Sequence, residues 1–130
     1  MRVLASAEEI VLRGEATRVS LTLSEDLDAL RDRPENDFYL LLHDLHADEQ
    51  PGVVYSLYLG TGDHGSEPKL GTINFYGANP TRSGFSSFEI PRAAVEGSAS
   101  ESLVVTIRPM GEPADGTPPK VGRIELAVAR

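Results

Sequence analysis

The chain has 130 residues, 40% of them apolar, enough to build one hydrophobic core and not two. With 20 acidic against 12 basic residues the formal charge is -8, a field that repels phosphate backbones and anionic membrane faces, so neither nucleic acid nor a membrane is an expected partner. Cysteine is absent, which excludes disulfides, thiolate metal sites and a Cys nucleophile.

A single domain over residues 1–130 follows from that composition. Met1 to Gly14 carries Glu8 and Glu9 and no unbroken apolar run, so neither a secretory signal nor an anchor is expected there, and the default compartment is the cytoplasm. No stretch is long enough to span a bilayer as a helix.

Apolar residues alternate with a period of two in short runs separated by Gly, Pro, Asn and Asp, which is the pattern of strands and turns. Glu9 to Arg13 and Arg18 to Leu23 read as a first pair, with Val19, Leu21 and Leu23 on one face, joined as a hairpin at Gly14-Glu15. Phe38 to Leu45 is apolar on both faces and reads as a central strand covered on each side. Val53 to Leu59 follows the turn residues Gln50-Pro51-Gly52, and further strands are expected at Lys69 to Phe75, Phe85 to Ile90, Leu103 to Arg108 and Val121 to Val128. Only Ser24 to Arg31 and Pro91 to Glu96 carry helix start and stop signals, and both are short. Arg108 to Pro119 holds four prolines and two glycines and reads as a loop between the last two strands. The expected architecture is all-β: an antiparallel sandwich of about 7–9 short strands with at most one or two short helices.

Several motifs resemble chemistry. Gly60-Thr61-Gly62-Asp63-His64-Gly65 is a literal G-x-G-x-x-G after a strand, yet Pro68 and the next strand-like run arrive before any crossover helix could form. A dinucleotide site needs that helix, so the segment reads as a hairpin loop. His43, His46 and His64 are the only histidines, with Asp44, Asp48, Glu49 and Asp63 nearby. Residues 43 and 46 are three apart, which puts their rings on opposite faces of a regular strand, so shared metal ligation there needs a bulge or turn. No serine sits in a nucleophile elbow, and no cofactor is expected.

Three segments carry a family resemblance. Val53-Val54-Tyr55-Ser56-Leu57-Tyr58-Leu59, followed by Lys69-Leu70-Gly71-Thr72-Ile73-Asn74-Phe75-Tyr76-Gly77, resembles a strand pair of the C-terminal β-sandwich domains of tyrosinases, polyphenol oxidases and molluscan haemocyanins. Glu101 to Pro109 and Val121 to Leu126 are similar to the closing strands of those domains, and Ala16 to Leu21 resembles the stretch after the copper domain of bacterial tyrosinases. The resemblance spans about Val3 to Val128. It implies a domain that docks over a dicopper site, limits substrate entry and often inserts one side chain where substrate sits.

The dicopper core itself is missing, since no paired H-x-x-x-H helices occur and three histidines are too few for two copper ions. The chain is therefore not expected to be an enzyme by itself, and the implied partner is a tyrosinase-type copper oxidase core, in cis or in trans. The family's hairpin maps onto Phe75 to Pro80, which makes Tyr76 the candidate placeholder with Phe75 and Phe85 behind it. Phe75 alternates with Ile73 toward the core, whereas Tyr76 lies past the strand in a turn sequence. Of Tyr55 and Tyr58, on opposite sides of their strand, one is expected in the core. Two alternatives stand beside the capping domain: a copper-handling protein using His43, His46, His64 and Met110, and a structural sandwich that self-associates through edge strands.

Overall fold

The computed structural model describes residues 2–24, 37–60, 68–76, 83–91 and 102–129. The two helix expectations fall almost wholly outside these residues, as does His64. The described residues form eight strands: β1 (Arg2–Val11), β2 (Thr17–Thr22), β3 (Asp37–His46), β4 (Tyr55–Gly60), β5 (Lys69–Ile73), β6 (Gly84–Ile90), β7 (Ser102–Pro109) and β8 (Lys120–Ala129). They assemble into two four-stranded antiparallel sheets, ordered β1-β8-β3-β6 and β2-β7-β4-β5. The expected all-β sandwich is the observed fold.

The core is the pair of facing inner surfaces. Phe38, Leu40, Leu42, Ile124 and Leu126 come from one sheet, and Leu21, Tyr55, Leu57, Leu59, Leu103 and Val105 from the other, each at most 1% exposed. Removing such a side chain from water contributes about 1.5–3 kcal/mol, so the alternation that hides these residues, rather than any surface ion pair, sets the fold.

The expected hairpin between the first two strands does not form. β1 pairs with β8 and β2 pairs with β7, in different sheets, and residues 12–16 turn the chain from one layer to the other. Alternation sends Ile10 and Leu21 inward whether their strands are neighbours or face each other, so the pattern cannot separate a hairpin from a corner. The five-residue connection also leaves room for the corner.

One irregularity crosses three strands of the first sheet. Inward positions on β3 step by two through Phe38, Leu40 and Leu42, then by three to Leu45. β8 makes the same longer step between Val121 and Ile124, and β1 makes it between Ala7, which packs against the core, and Ile10. Because all three take the step on one rung, β1–β8 and β3–β8 stay in register through it. β6 lacks it, and β3–β6 shifts between His43 and Leu45. Glu9 and Asp44 flank Gly122 on that rung and both hold left-handed backbone, at φ 56° and 55°.

β3 is central, as expected, but its outward Tyr39, Leu41 and His43 are half-buried rather than fully covered. β4 and β5 are adjacent and antiparallel, which is not the parallel pairing of a crossover unit; the glycine-rich residues 61–67 between them lie outside the described residues. The two sheets approach along one side where Phe88 of β6 lies against Gly71 of β5.

Candidate functional site

One end of the sandwich collects the ends of β1, β3, β5 and β7 and the starts of β2, β4, β6 and β8. The connections 12–16, 47–54 and 110–119 meet there and are laced by backbone hydrogen bonds: Leu12 N–H donates to Pro119 O at 2.9 Å, Ala114 N–H to Pro51 O at 2.8 Å and Met110 N–H to Val54 O at 2.9 Å. Prolines hold their own φ and lack a donor, so a proline-rich loop is ordered by such outside contacts rather than by a ladder of its own. Between these loops lies an open groove of about 310 Å³ lined by Leu12, Arg13, Gln50, Pro51, Pro113 and Asp115 among others. Sequence reasoning recognised the loop 108–119 but not the groove, because what pins the loop lies far away in the chain at Pro51 and Leu12.

Tyr76 emerges at the same end, 71% exposed. Its neighbour Phe75 is 1% exposed and meets the Tyr55 ring edge-on, with centroids 5.7 Å apart and planes at 85°. The Phe75 carbonyl accepts a hydrogen bond from Gln50 Nε2 at 2.8 Å, and Asn74 Oδ1 accepts one from the Tyr76 amide at 3.1 Å. An Asn that binds the amide two residues on turns the chain, and here it turns Tyr76 away from the sheet just after Phe75 has been locked into the core. Two of the candidates thus divide as the alternation indicates, Phe75 inward and Tyr76 outward.

Phe85 sits on a different face. It is 58% exposed on the outer face of the opposite sheet, with its ring 5.2 Å from that of His43, and so does not stand behind Tyr76. Strand alternation gives the face of a residue but not the sheet to which its strand belongs.

The rung irregularity at Asp44 also revises the histidine geometry. With an extra residue between them, His43 and His46 both project from the outer face of β3. Each nevertheless has its own carboxylate: His43 Nε2 lies 2.5 Å from Glu125 Oε1, and His46 Nε2 lies 2.9 Å from Asp48 Oδ1. Glu125 is shared with Arg123 at 3.5 Å. Among the described residues no three of His, Asp and Glu converge as metal ligands would.

Of the two β4 tyrosines, Tyr55 is the core residue, and Tyr58 is half-buried on the other face beneath the Arg108 guanidinium, 5.6 Å from its ring centroid. The Tyr55 hydroxyl finds no hydrogen-bond partner among the described residues, and burial pushes its pKa above the usual 10.0.

No protein-family profile and no curated protein matches this sequence. Similar solved structures do exist. A recombinantly expressed latent aurone synthase, a polyphenol oxidase, superposes with a TM-score of 0.63 at 16% identity, covering 92% of this chain and 25% of that one. The same enzyme from its natural source gives 0.61 at 15% identity, and latent apple tyrosinase gives 0.58 at 16%, covering 94% of this chain and 27% of its own. The shared property is the fold, and this chain spans about a quarter of the length of those oxidases.

Proposed function

We propose that this chain is a non-catalytic domain that works with a tyrosinase-type dicopper oxidase, shielding the entrance to its active site or assisting its maturation, in cis or in trans. The observation that carries the reading is the fold likeness itself, which takes in 92% of this chain and only 25% of the oxidase. That is the share of one domain, and the sequence resemblance identifies it with the C-terminal one. The neighbours are described as latent forms, which fits a domain that holds such an enzyme in check.

Tyr76 is the side chain assigned to enter the active-site mouth. An inserted group must be exposed before docking, large enough to displace water from an aromatic-lined pocket, and held in place so that insertion costs little ordering. Tyr76 is 71% exposed, and it follows directly on Phe75, whose carbonyl is tied to the body by Gln50, while Asn74 fixes the turn by accepting from the Tyr76 amide.

The test is direct. Purified chain is added in excess to a dicopper tyrosinase core stripped of its own C-terminal domain, and diphenol oxidation is followed. Suppression is expected, with Tyr76→Ala at least about tenfold less effective, the loss typical of a buried aromatic anchor. Unchanged oxidation in the presence of excess wild-type chain would rule the proposal out.

A further inference from the structure

Among the described residues four large apolar side chains are exposed, and three of them, Tyr76, Met110 and Phe85, lie toward the loop end described above. Tyr76 and Met110 belong to it directly. Ile73 and Pro109 are the two neighbours of Tyr55, so the segments bearing Tyr76 and Met110 leave the sheet on either side of β4, about 10 Å apart by the spacing of strands. An exposed aromatic and an exposed thioether on segments either side of β4, one held through the Phe75 carbonyl and the other through its own amide, cost solubility and return nothing to the core.

The charge around them is one-sided. Glu15, Asp48, Glu49, Glu112 and Asp115 are all exposed in the connecting loops of this end, against Arg13 among the described residues of those loops, with Arg18, Arg108 and Lys120 on the adjoining strand ends. Loops 47–54 and 110–119 contain no lysine or arginine. Apolar anchors ringed by carboxylates are complementary to an apolar pocket ringed by cations, and charges at the rim govern the speed and salt dependence of association more than its final strength.

We propose that this end is a docking surface for a folded protein that presents an apolar pocket with a lysine- and arginine-rich rim, Tyr76 and Met110 entering the pocket and the five carboxylates meeting the rim. For the identity of that protein the proposal rests on the capping function above, and it adds what the partner's surface must look like. The lacing at Leu12, Pro51 and Val54 keeps the loops ordered before contact, so docking spends little on fixing them.

The experiment compares two triple variants with the same change in net charge. Glu15→Gln/Glu112→Gln/Asp115→Asn neutralises the loop end, and Glu8→Gln/Asp37→Asn/Glu89→Gln neutralises exposed positions on the strands. Binding to the stripped tyrosinase core is measured by surface plasmon resonance at 50 and 300 mM salt. The loop triple is expected to slow association about tenfold at low salt and the strand triple no more than about twofold, while Tyr76→Ala/Met110→Ala speeds dissociation about tenfold. If the core binds and both triples behave alike, the docking surface is wrong and the capping function survives. If the core does not bind, capping fails, and the surface is tested with benzyltrimethylammonium, an aromatic cation. Amide shifts concentrated in residues 13–16, 48–53, 74–76 and 110–117 then support it, and shifts spread over the sheet faces overturn it.

Discussion

Gly122 lies so close to Asp44 that a Cβ built on it would stand 2.7 Å from the Asp44 Cβ. The two residues face each other on the rung where β1, β8 and β3 all take their longer step, and Asp44 holds left-handed backbone there. Gly122→Ala must therefore push against an atom fixed to the main chain, at an expected cost of about 2–3 kcal/mol. Asp44→Gly trades left-handed strain against chain entropy and should stay within about 1 kcal/mol of wild type. The three atoms nearest to a new Cβ all belong to the Asp44 side chain, so the double variant Asp44→Gly/Gly122→Ala is expected to recover most of the loss. Urea denaturation of the four proteins closes the cycle, and strict additivity would show that the contact does not matter.

Gly71 offers a milder version of the same constraint. A Cβ there would lie 2.8 Å from Phe88 Cε1, the far side of a half-buried ring rather than backbone. The ring can turn away, so Gly71→Ala should cost only about 1 kcal/mol, and Phe88→Leu in the same molecule should remove that penalty. A Gly71→Ala loss as large as that of Gly122→Ala would mean that Phe88 cannot yield.

Tyr55 brings a hydroxyl into the core without a hydrogen-bond partner among the described residues. Replacing it by Phe keeps the edge-on ring contact with Phe75 and removes the unpaired group, so Tyr55→Phe should be neutral or stabilising by up to about 1 kcal/mol at pH 7. Burial raises this pKa above 10.0, favouring the neutral phenol in the folded state. Its contribution is complete below pH 10, where both states keep the proton, and is lost as pH rises from 10 through the raised folded value. Denaturation midpoints at pH 7 and pH 10.5 should therefore fall less for Tyr55→Phe than for wild type. A loss above about 2 kcal/mol at pH 7 would show instead that the hydroxyl is bonded.

Adjacent residues Phe75 and Tyr76 should respond in opposite ways. Phe75→Ala empties a core site that is 1% exposed and should cost about 3–5 kcal/mol. Tyr76→Ala should leave stability within about 0.5 kcal/mol while weakening capping. Thermal unfolding beside the oxidase assay separates them, and a large stability loss for Tyr76→Ala would assign that ring a packing role instead.

The strands from β2 onward were legible in the sequence because most of their inward residues alternate without interruption, as in Phe38, Leu40 and Leu42 or Tyr55, Leu57 and Leu59. β1 was legible only at its end. A register shift between Val3 and Ala5 and the longer step at Glu9 break its alternation, so a period of two finds no signal from Arg2 to Glu8. The same rung hid the shared face of His43 and His46, since no local feature announces an extra residue in a strand. At the loop end, Tyr76 could be separated from Phe75 by parity and turn residues. The carbonyl contact from Gln50 and the groove walls join segments distant in the chain, and only the folded arrangement supplies them.

The aligned step at Glu9, Asp44 and Gly122 also governs how this sheet can change length. Deleting one of the three residues would close that strand's longer step to an ordinary one, keeping its inward face but slipping it by one residue against the neighbours that retain the step, as β3 already slips against β6. Only concerted loss on all three strands would keep β1–β8 and β3–β8 aligned without a new bulge, so this rung is shed at least cost as a whole.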